Sequence, residues 1–366
     1  MTVLPFDPSR VLCGVLGDVH GDLPALVAAV DFVRAEAARR GLAPWVALLG
    51  DLVDRGPDSA GCAAFAMRLA RGEDPARRGT RLLFVRGDHD EALSWNPATG
   101  LFSTLVAPGD WAERLNSLPP DDPERGVARD YIGFVRESPA AILLRGAREG
   151  VLLAHGGVPH ADLLPGLDSP EAVGAPRCDR DFAWCRVAAA RRKIPNRATL
   201  LCDVGLDDVA DFLARLAEIV APTPDADEVG VRRPFSISHF IHGHEHTAPG
   251  FATQSLRDGA TMWTVTTLHA EEEGFLPAIH PSVVLIESRA KSVSHAEGAE
   301  NAEGVSHAES AEGVSHAESA ENAEFCLEAA AVPAVASGQD PQSFNPPAQS
   351  AGQTAAAGVA VPATPC

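Results

Sequence analysis

A chain of 366 residues with 45% apolar composition is long enough for one large domain or two small ones around a sizeable core. Its net charge of −20 argues against a non-specific nucleic-acid binder that relies on phosphate contacts. Residues 291–366 hold one lysine against ten acids, a net −9, which leaves −11 for residues 1–290, so the body is acidic as well.

The seven cysteines show no CxxC spacing, and reduced thiols in a cytosolic protein are expected. Met1 to Arg10 lacks the basic-then-apolar layout of a signal peptide, and no apolar run approaches the length of a bilayer span. These features predict a soluble cytoplasmic protein with no membrane partner and no nucleic-acid partner.

Val11 to Leu16 reads as a strand that runs into the loop Gly17-Asp18-Val19-His20-Gly21-Asp22. Asp22 can cap a helix in which Leu23, Leu26, Val27, Val30 and Val33 recur at helical spacing. Trp45 to Leu49 predicts a second strand, buried and parallel, which delivers Gly50-Asp51-Leu52-Val53-Asp54-Arg55-Gly56. A helical stretch, Ala60 to Ala70, is followed by a third strand, Leu82 to Val85, and by Arg86-Gly87-Asp88-His89-Asp90. Three strands thus end in Gly-Asp, at the edge where open α/β sheets keep their ligands. Strands alternating with helices imply parallel pairing with right-handed crossovers.

Residues 91–138 read as helix and loop that form a partial lid over the strand ends, with a turn-rich patch from Ser117 to Gly126. Ala140 to Leu144 and Val151 to Ala154 predict a strand pair, the second strand ending in His155-Gly156-Gly157. Asp207 or Asp208 is expected to cap a helix whose apolar face is Val209, Phe212, Leu213, Leu216, Ile219 and Val220. Phe235 to Ile241 predicts a strand that ends in His242-Gly243-His244-Glu245-His246. Met262 to Thr267 and Val283 to Ile286 complete the apolar runs. Strands in two batches suggest two sheets packed face to face with helices outside.

From Lys291 the composition changes. Ser-His-Ala-Glu recurs from Ser294, Ser306 and Ser315, before an Ala/Pro/Gly/Gln-rich end. So little apolar surface with so much acidic charge predicts disorder for residues 291–366, and a solvated role for the three repeat histidines.

The groups at predicted strand ends are Asp18, His20, Asp51, Asp88, His155, His244 and His246. An oxygen and imidazole set without thiolate suits manganese, iron or zinc in an open site better than calcium or a structural zinc. Seven donors are too many for one open catalytic ion and suit two. A shared carboxylate holds such ions about 3.5–4 Å apart. Asp51, on the middle strand, is the candidate bridge. His239 and His242 read as structural.

The series Gly17–Gly21, Gly50–Gly56, Gly87–Asp90, His155–Gly157 and Gly243-His244 resembles the calcineurin-like metallophosphoesterases. Within them it is most similar to the serine/threonine phosphoprotein phosphatases of bacterial and bacteriophage type. The resemblance covers residues 11 to about 288, with five motifs in order. It implies a four-layer α/β/β/α sandwich, placing a metallophosphoesterase domain at 1–290 before the tail at 291–366. It further implies a first metal on Asp18, His20 and Asp51, and a second on Asp51, Asp88, His155 and His244. A bridging hydroxide is then expected to attack phosphorus, with His89 as general acid oriented by Asp54. Arg55 is expected to clamp the phosphate, and Trp184-Cys185-Arg186 resembles a segment that supplies a second clamp, Arg186.

Two positions depart from the family pattern. Asp88 stands where the family has asparagine, which adds a negative charge to the centre. His246 matches the broader superfamily, in which it ligates the first metal. The expected substrate is a phosphorylated protein or a small phosphoester. Alternatives are a dinucleoside polyphosphate hydrolase and, in another class, a phosphoprotein-binding pseudo-phosphatase.

Overall fold

The computed structural model describes residues 1–188, 203–221, 234–245, 247, 250–267, 282–289 and 324–331. The N-terminal third alternates strand and helix. It comprises β1 (Thr2–Pro5), β2 (Val11–Leu16), α1 (Leu23–Arg40), β3 (Ala43–Leu48), α2 (Ser59–Ala70) and β4 (Arg81–Phe84). Asp22 caps α1 by accepting from the Ala25 amide at 2.9 Å, and Gly41, at φ 71°, ends it.

A short α3 (Asp88–Ala92) leads to the hairpin β5 (Ser94–Asn96) and β6 (Leu101–Ser103), then to α4 (Asp110–Ser117) and α5 (Pro123–Glu137). The antiparallel pair β7 (Ala141–Arg145) and β8 (Glu149–Ala154) follows. Next come α6 (Pro170–Val173), α7 (Pro176–Trp184), β9 (Val187–Ala188), β10 (Val204–Gly205) and α8 (Leu206–Val220). The chain returns through β11 (Ser236–His242), β12 (Phe251–Ser255), β13 (Thr261–Val265), β14 (Ser282–Arg289) and β15 (Glu324–Ala331).

Two main sheets result, ordered β15-β14-β2-β3-β4 and β1-β7-β8-β11-β13-β12. Side-chain alternation explains why they face one another. In β2, Cys13 and Val15 join Ala47, Leu83, Leu153, Ile241 and Val265 in a core between the sheets. Leu12 and Leu16 point the other way and pack with Leu26, Val30 and Phe65 of the first helical layer. On the far side, Leu152 and Phe240 pack with Phe182, Phe212 and Leu216 of α7 and α8. The order is therefore helix, sheet, sheet, helix. Strands buried on both faces read as continuous apolar runs, which is why they were visible in the sequence.

Three elements differ from expectation. α8 starts two or three residues earlier than a cap at Asp207 or Asp208 requires. Gly205 is its N-cap, and Asp208 reaches back to accept from the Gly205 amide at 2.8 Å. The turn-rich patch from Ser117 ends at Asp122, which caps α5 with Pro123 in its first turn. The third difference lies inside the stretch expected to be disordered. Residues 324–331 form β15, which pairs antiparallel with β14 from Glu324↔Arg289 to Ala331↔Ser282. Composition averaged over 291–366 hides this window, where Phe325 lies against Phe6 with ring centroids 5.6 Å apart. The other residues of 291–366 lie outside the described ones. Among the described residues, no helix is long and apolar enough to cross a membrane.

Truncation after residue 290 is therefore expected to be destabilising relative to truncation after residue 335. Loss of the buried Phe325 alone removes about 1.5–3 kcal/mol. Coincident melting curves for the two truncated chains would contradict a stabilising role for β15.

Candidate metal centre

β2, β3 and β4 run parallel, so their Gly-Asp loops emerge along one edge. β8 and β11 are parallel to each other and carry His155 and His244 just beyond their ends. Five described non-glycine residues have positive φ: His20, Asp51, Asp54, Arg55 and His244. All five are site residues expected from the sequence. Such backbone costs energy for a side chain with a Cβ, and it persists only where packing and hydrogen bonds enforce it.

The glycines allow the loops to touch. A Cβ on Gly87 would lie 2.1 Å from Asp51 Oδ1, and one on Gly243 would lie 2.4 Å from Asp18 Oδ1. Asp90 is the hub of the arrangement and was not singled out by the sequence. Its carboxylate accepts from the amides of Asp51 (2.7 Å), Leu52 (3.0 Å) and Gly87 (3.1 Å), and from the Tyr131 hydroxyl (2.7 Å). Its place as the second acid of the Gly87–Asp90 motif was its only signal, because its partners come mostly from other elements.

Two donor clusters share Asp51. One is Asp18, His20 and Asp51; the other is Asp51, Asp88, His155 and His244. Backbone carbonyls fix both imidazoles nearest Asp51. His20 Nδ1 donates to the Val53 carbonyl (3.0 Å) and His155 Nδ1 to the Leu49 carbonyl (2.9 Å). Each therefore turns Nε2 inward, in the way that outer partners orient metal-ligating histidines. His155 Nε2 lies 3.4 Å from both Asp51 Oδ2 and Asp88 Oδ1. His20 Nε2 lies 3.7 Å from Asp51 Oδ2 and 3.8 Å from Asp18 Oδ2. Bonds of about 2.0–2.2 Å to a first-row ion place neighbouring donors roughly 3.0–3.5 Å apart, so the second cluster is already close to a coordination shell.

The electrostatics fit a cation. Asp18, Asp51 and Asp88 are all buried, and carboxylates at that depth need balancing positive charge. Burial and the neighbouring carboxylates Asp88 and Asp18 push the Asp51 carboxyl well above its usual range, against the pull of His155. Burial lowers the His155 imidazole, but the surrounding Asp51, Asp88 and Asp18 carboxylates outweigh it and hold it up to about 10. Arg186 Nε donates to His244 Nε2 at 3.2 Å, and His244 Nδ1 lies 3.0 Å from His155 Nε2.

Beside the clusters, His89 Nδ1 donates to Asp54 Oδ2 at 2.9 Å, and the His89 amide donates to Asp51 Oδ1 at 3.0 Å. Asp54 Oδ1 is held by the Trp111 amide (3.0 Å), and Asp110 accepts from the Arg55 amide (2.9 Å), so α4 anchors this loop. Arg55 Nη2 donates to His89 Nε2 at 3.2 Å. Asp51, Asp88, His89, Arg55, Arg186 and His244 line one cavity of about 240 Å³. Leu105, Val106 and Ala107, from the stretch expected to act as a lid, close one wall, and Trp184 closes another. Glu91 fixes Trp184 by accepting from its Nε1 at 2.8 Å.

The structure thus brings together Asp18, His20, Asp51, Asp54, Arg55, Asp88, His89, His155, Arg186 and His244. His246 lies outside the described residues. His239 and His242 stand apart, one accepting from Trp263 Nε1 (3.3 Å) and the other bonded to Thr264 Oγ1 (3.0 Å). Burial lowers them to about 4 and about 3.

Residues 13–248 match the family model described as calcineurin-like phosphoesterase. Serine/threonine-protein phosphatase 1 of Salmonella typhimurium is 32% identical over 104 residues, which span 28% of this chain and 41% of that protein. Among solved structures, a protein serine/threonine phosphatase of Saccharomyces cerevisiae is similar over 76% of each chain, at 15% identity and a TM-score of 0.45. A cold-active protein-tyrosine phosphatase of a psychrophilic Shewanella is similar over 78% of each chain, at 14% identity and a TM-score of 0.41.

Proposed function

The chain belongs to the calcineurin-like phosphoesterase family, and from that premise we propose that it is a two-metal phosphomonoesterase acting on phosphoserine and phosphothreonine in proteins. One observation carries the reading: His89, held by Asp54, and two arginines line the same cavity as Asp51, the residue at which two donor clusters join. The partial match to a serine/threonine phosphatase supports the substrate class.

In this reading Asp18, His20 and Asp51 hold one cation, and Asp51, Asp88, His155 and His244 hold the other. The donors contain oxygen and nitrogen without sulfur, which favours manganese, with iron or zinc as substitutes. Bound there, two divalent cations supply an activated water and neutralise charge on the transferring phosphoryl group. The remaining work belongs to side chains. Asp54 holds His89 Nδ1 and so aims Nε2 to deliver a proton to the leaving alkoxide. Arg55 turns its fork of donors from His89 to the phosphate, and Arg186, which lines the same cavity, adds a second clamp. Cys13, Cys62, Cys178, Cys185 and Cys326 form no disulfide among the described residues, which fits a reducing, cytoplasmic setting.

Chelator-treated protein is expected to hydrolyse p-nitrophenyl phosphate only after Mn²⁺ is restored, and to prefer a phosphopeptide to diadenosine tetraphosphate. No turnover with metal restored would remove the enzyme reading. A reversed preference would move the substrate to dinucleoside polyphosphates.

Asp88 makes a second prediction. Its carboxylate faces His155 and His244 at 3.4 and 3.5 Å, and it adds negative charge where a phosphate must approach. Asp88→Asn keeps an oxygen donor and removes that charge. It is expected to raise kcat/KM about 3–10-fold while weakening the binding of the second cation, since one charge at such a distance is worth a kilocalorie or more. Steady-state kinetics over a manganese titration measures both. A fall in kcat/KM at saturating metal would contradict the electrostatic explanation.

A further inference from the structure

A second group of metal-ligand side chains lies behind Arg186. His160, Asp181 and Cys185 present one donor atom each within 4.8 Å of one another. Asp181 lies in the last turn of α7 and Cys185 is that helix's C-cap, so a spacing of four residues puts them on one face. His160 arrives from the loop after His155-Gly156-Gly157, and its amide donates to Asp181 Oδ2 at 3.2 Å, which ties the loop to the helix. Cys185 Sγ is 3.6 Å from His160 Nε2 and 3.7 Å from Asp181 Oδ1.

Those separations discriminate between ligands. In tetrahedral zinc sites the bonds are about 2.3 Å to sulfur and about 2.0–2.1 Å to nitrogen or oxygen, which makes a sulfur-to-nitrogen or sulfur-to-oxygen edge about 3.6 Å. Both sulfur edges already have that length, and the imidazole and carboxylate donors lie within 4.8 Å of each other. Asp181 and Cys185 are buried and His160 is partly exposed, which leaves a route from solvent and a corner for water. Thiolate, imidazole and carboxylate together select zinc over manganese, in contrast to the sulfur-free donors around Asp51.

We propose that His160, Asp181 and Cys185 form a third divalent-cation site, of zinc type, separate from the pair joined at Asp51. Binding releases the Cys185 thiol proton to solvent and forms a sulfur–metal bond, with no redox change. The site braces what surrounds the second donor cluster. Arg186 follows Cys185 directly, and the Gly156 amide donates to the Phe182 carbonyl of α7 at 2.6 Å. An ion there holds the arginine and the His155 loop to one helix end.

The test uses the full chain, stripped of metal and then titrated with Co²⁺. A thiolate-to-cobalt charge-transfer band in the near ultraviolet is expected, lost in both Cys185→Ser and His160→Gln and retained in Cys178→Ser. With zinc, elemental analysis is expected to show one ion fewer in His160→Gln than in the parent. The donors around Asp51 contain no sulfur, so the band reports this site even if the phosphatase reading fails. Absence of the band, its survival in Cys185→Ser or His160→Gln, or unchanged zinc in His160→Gln would overturn the proposal.

Discussion

His89→Asn is expected to keep both cations and to lower kcat toward an alkyl phosphomonoester by about 10²–10⁴-fold, the usual contribution of a positioned general acid. The substitution is chosen for its geometry. An asparagine amide can still donate toward Asp54 Oδ2, where His89 Nδ1 now sits at 2.9 Å. The bond to Asp51 Oδ1 comes from the residue 89 amide, so the Asp51 carboxylate keeps its support. The loss should depend on the leaving group. A p-nitrophenolate departs without protonation, so its hydrolysis falls much less than that of phosphoserine. Comparison of leaving groups, with metal content measured in parallel, separates this role from others. An equal loss on both substrates, or departure of metal, would show that His89 serves the cations and not the leaving group.

Asp51→Asn has the larger predicted effect. Asp51 belongs to both donor clusters, so neutralising it weakens both cation sites at once and is expected to abolish measurable turnover. The stability of the metal-free protein should move the other way. The folded state holds the Asp51 carboxyl well above its ordinary range, chiefly through burial. An acid raised in the folded state carries a stability penalty that grows as pH climbs from its unfolded value through its folded one. Asparagine removes it, so metal-free Asp51→Asn is expected to melt at or above the metal-free parent, while the metal-loaded parent melts above both. Denaturation with and without chelator measures this. A variant that loses activity and also melts lower when metal-free would mean that Asp51 is needed for the fold itself.

The parts of the molecule that were legible in the sequence are those in which local pattern and tertiary environment agree. β2 and the C-terminal halves of β3 and β8 are buried, so each appears as an apolar run, and the Gly-Asp after β2 and β3 and the His155-Gly156-Gly157 after β8 mark where it ends. The site donors were legible for the same reason, since each stands just past such a run. β12 is the opposite case. Phe251–Ser255 is a largely exposed edge strand with no apolar alternation, and only its pairing with β13 defines it. β1 is four residues ending in proline, fixed by its register with β7. Asp90 was missed because a carboxylate that accepts four hydrogen bonds across loops looks, in one dimension, like any acid near a turn. Its partner Tyr131 sits 41 residues away, in the middle of α5. β15 was missed because eight ordered residues were averaged into a long acidic segment.

A crystal grown or soaked in manganese and measured for anomalous scattering bears most directly on the centre. Two peaks are expected, about 3.5–4 Å apart, with one carboxylate oxygen of Asp51 between them. Asp18 and His20 should flank one peak, and Asp88, His155 and His244 the other. A single ion in this cavity, or a pair in which Asp51 touches only one member, would contradict the shared-carboxylate arrangement on which the proposed chemistry rests.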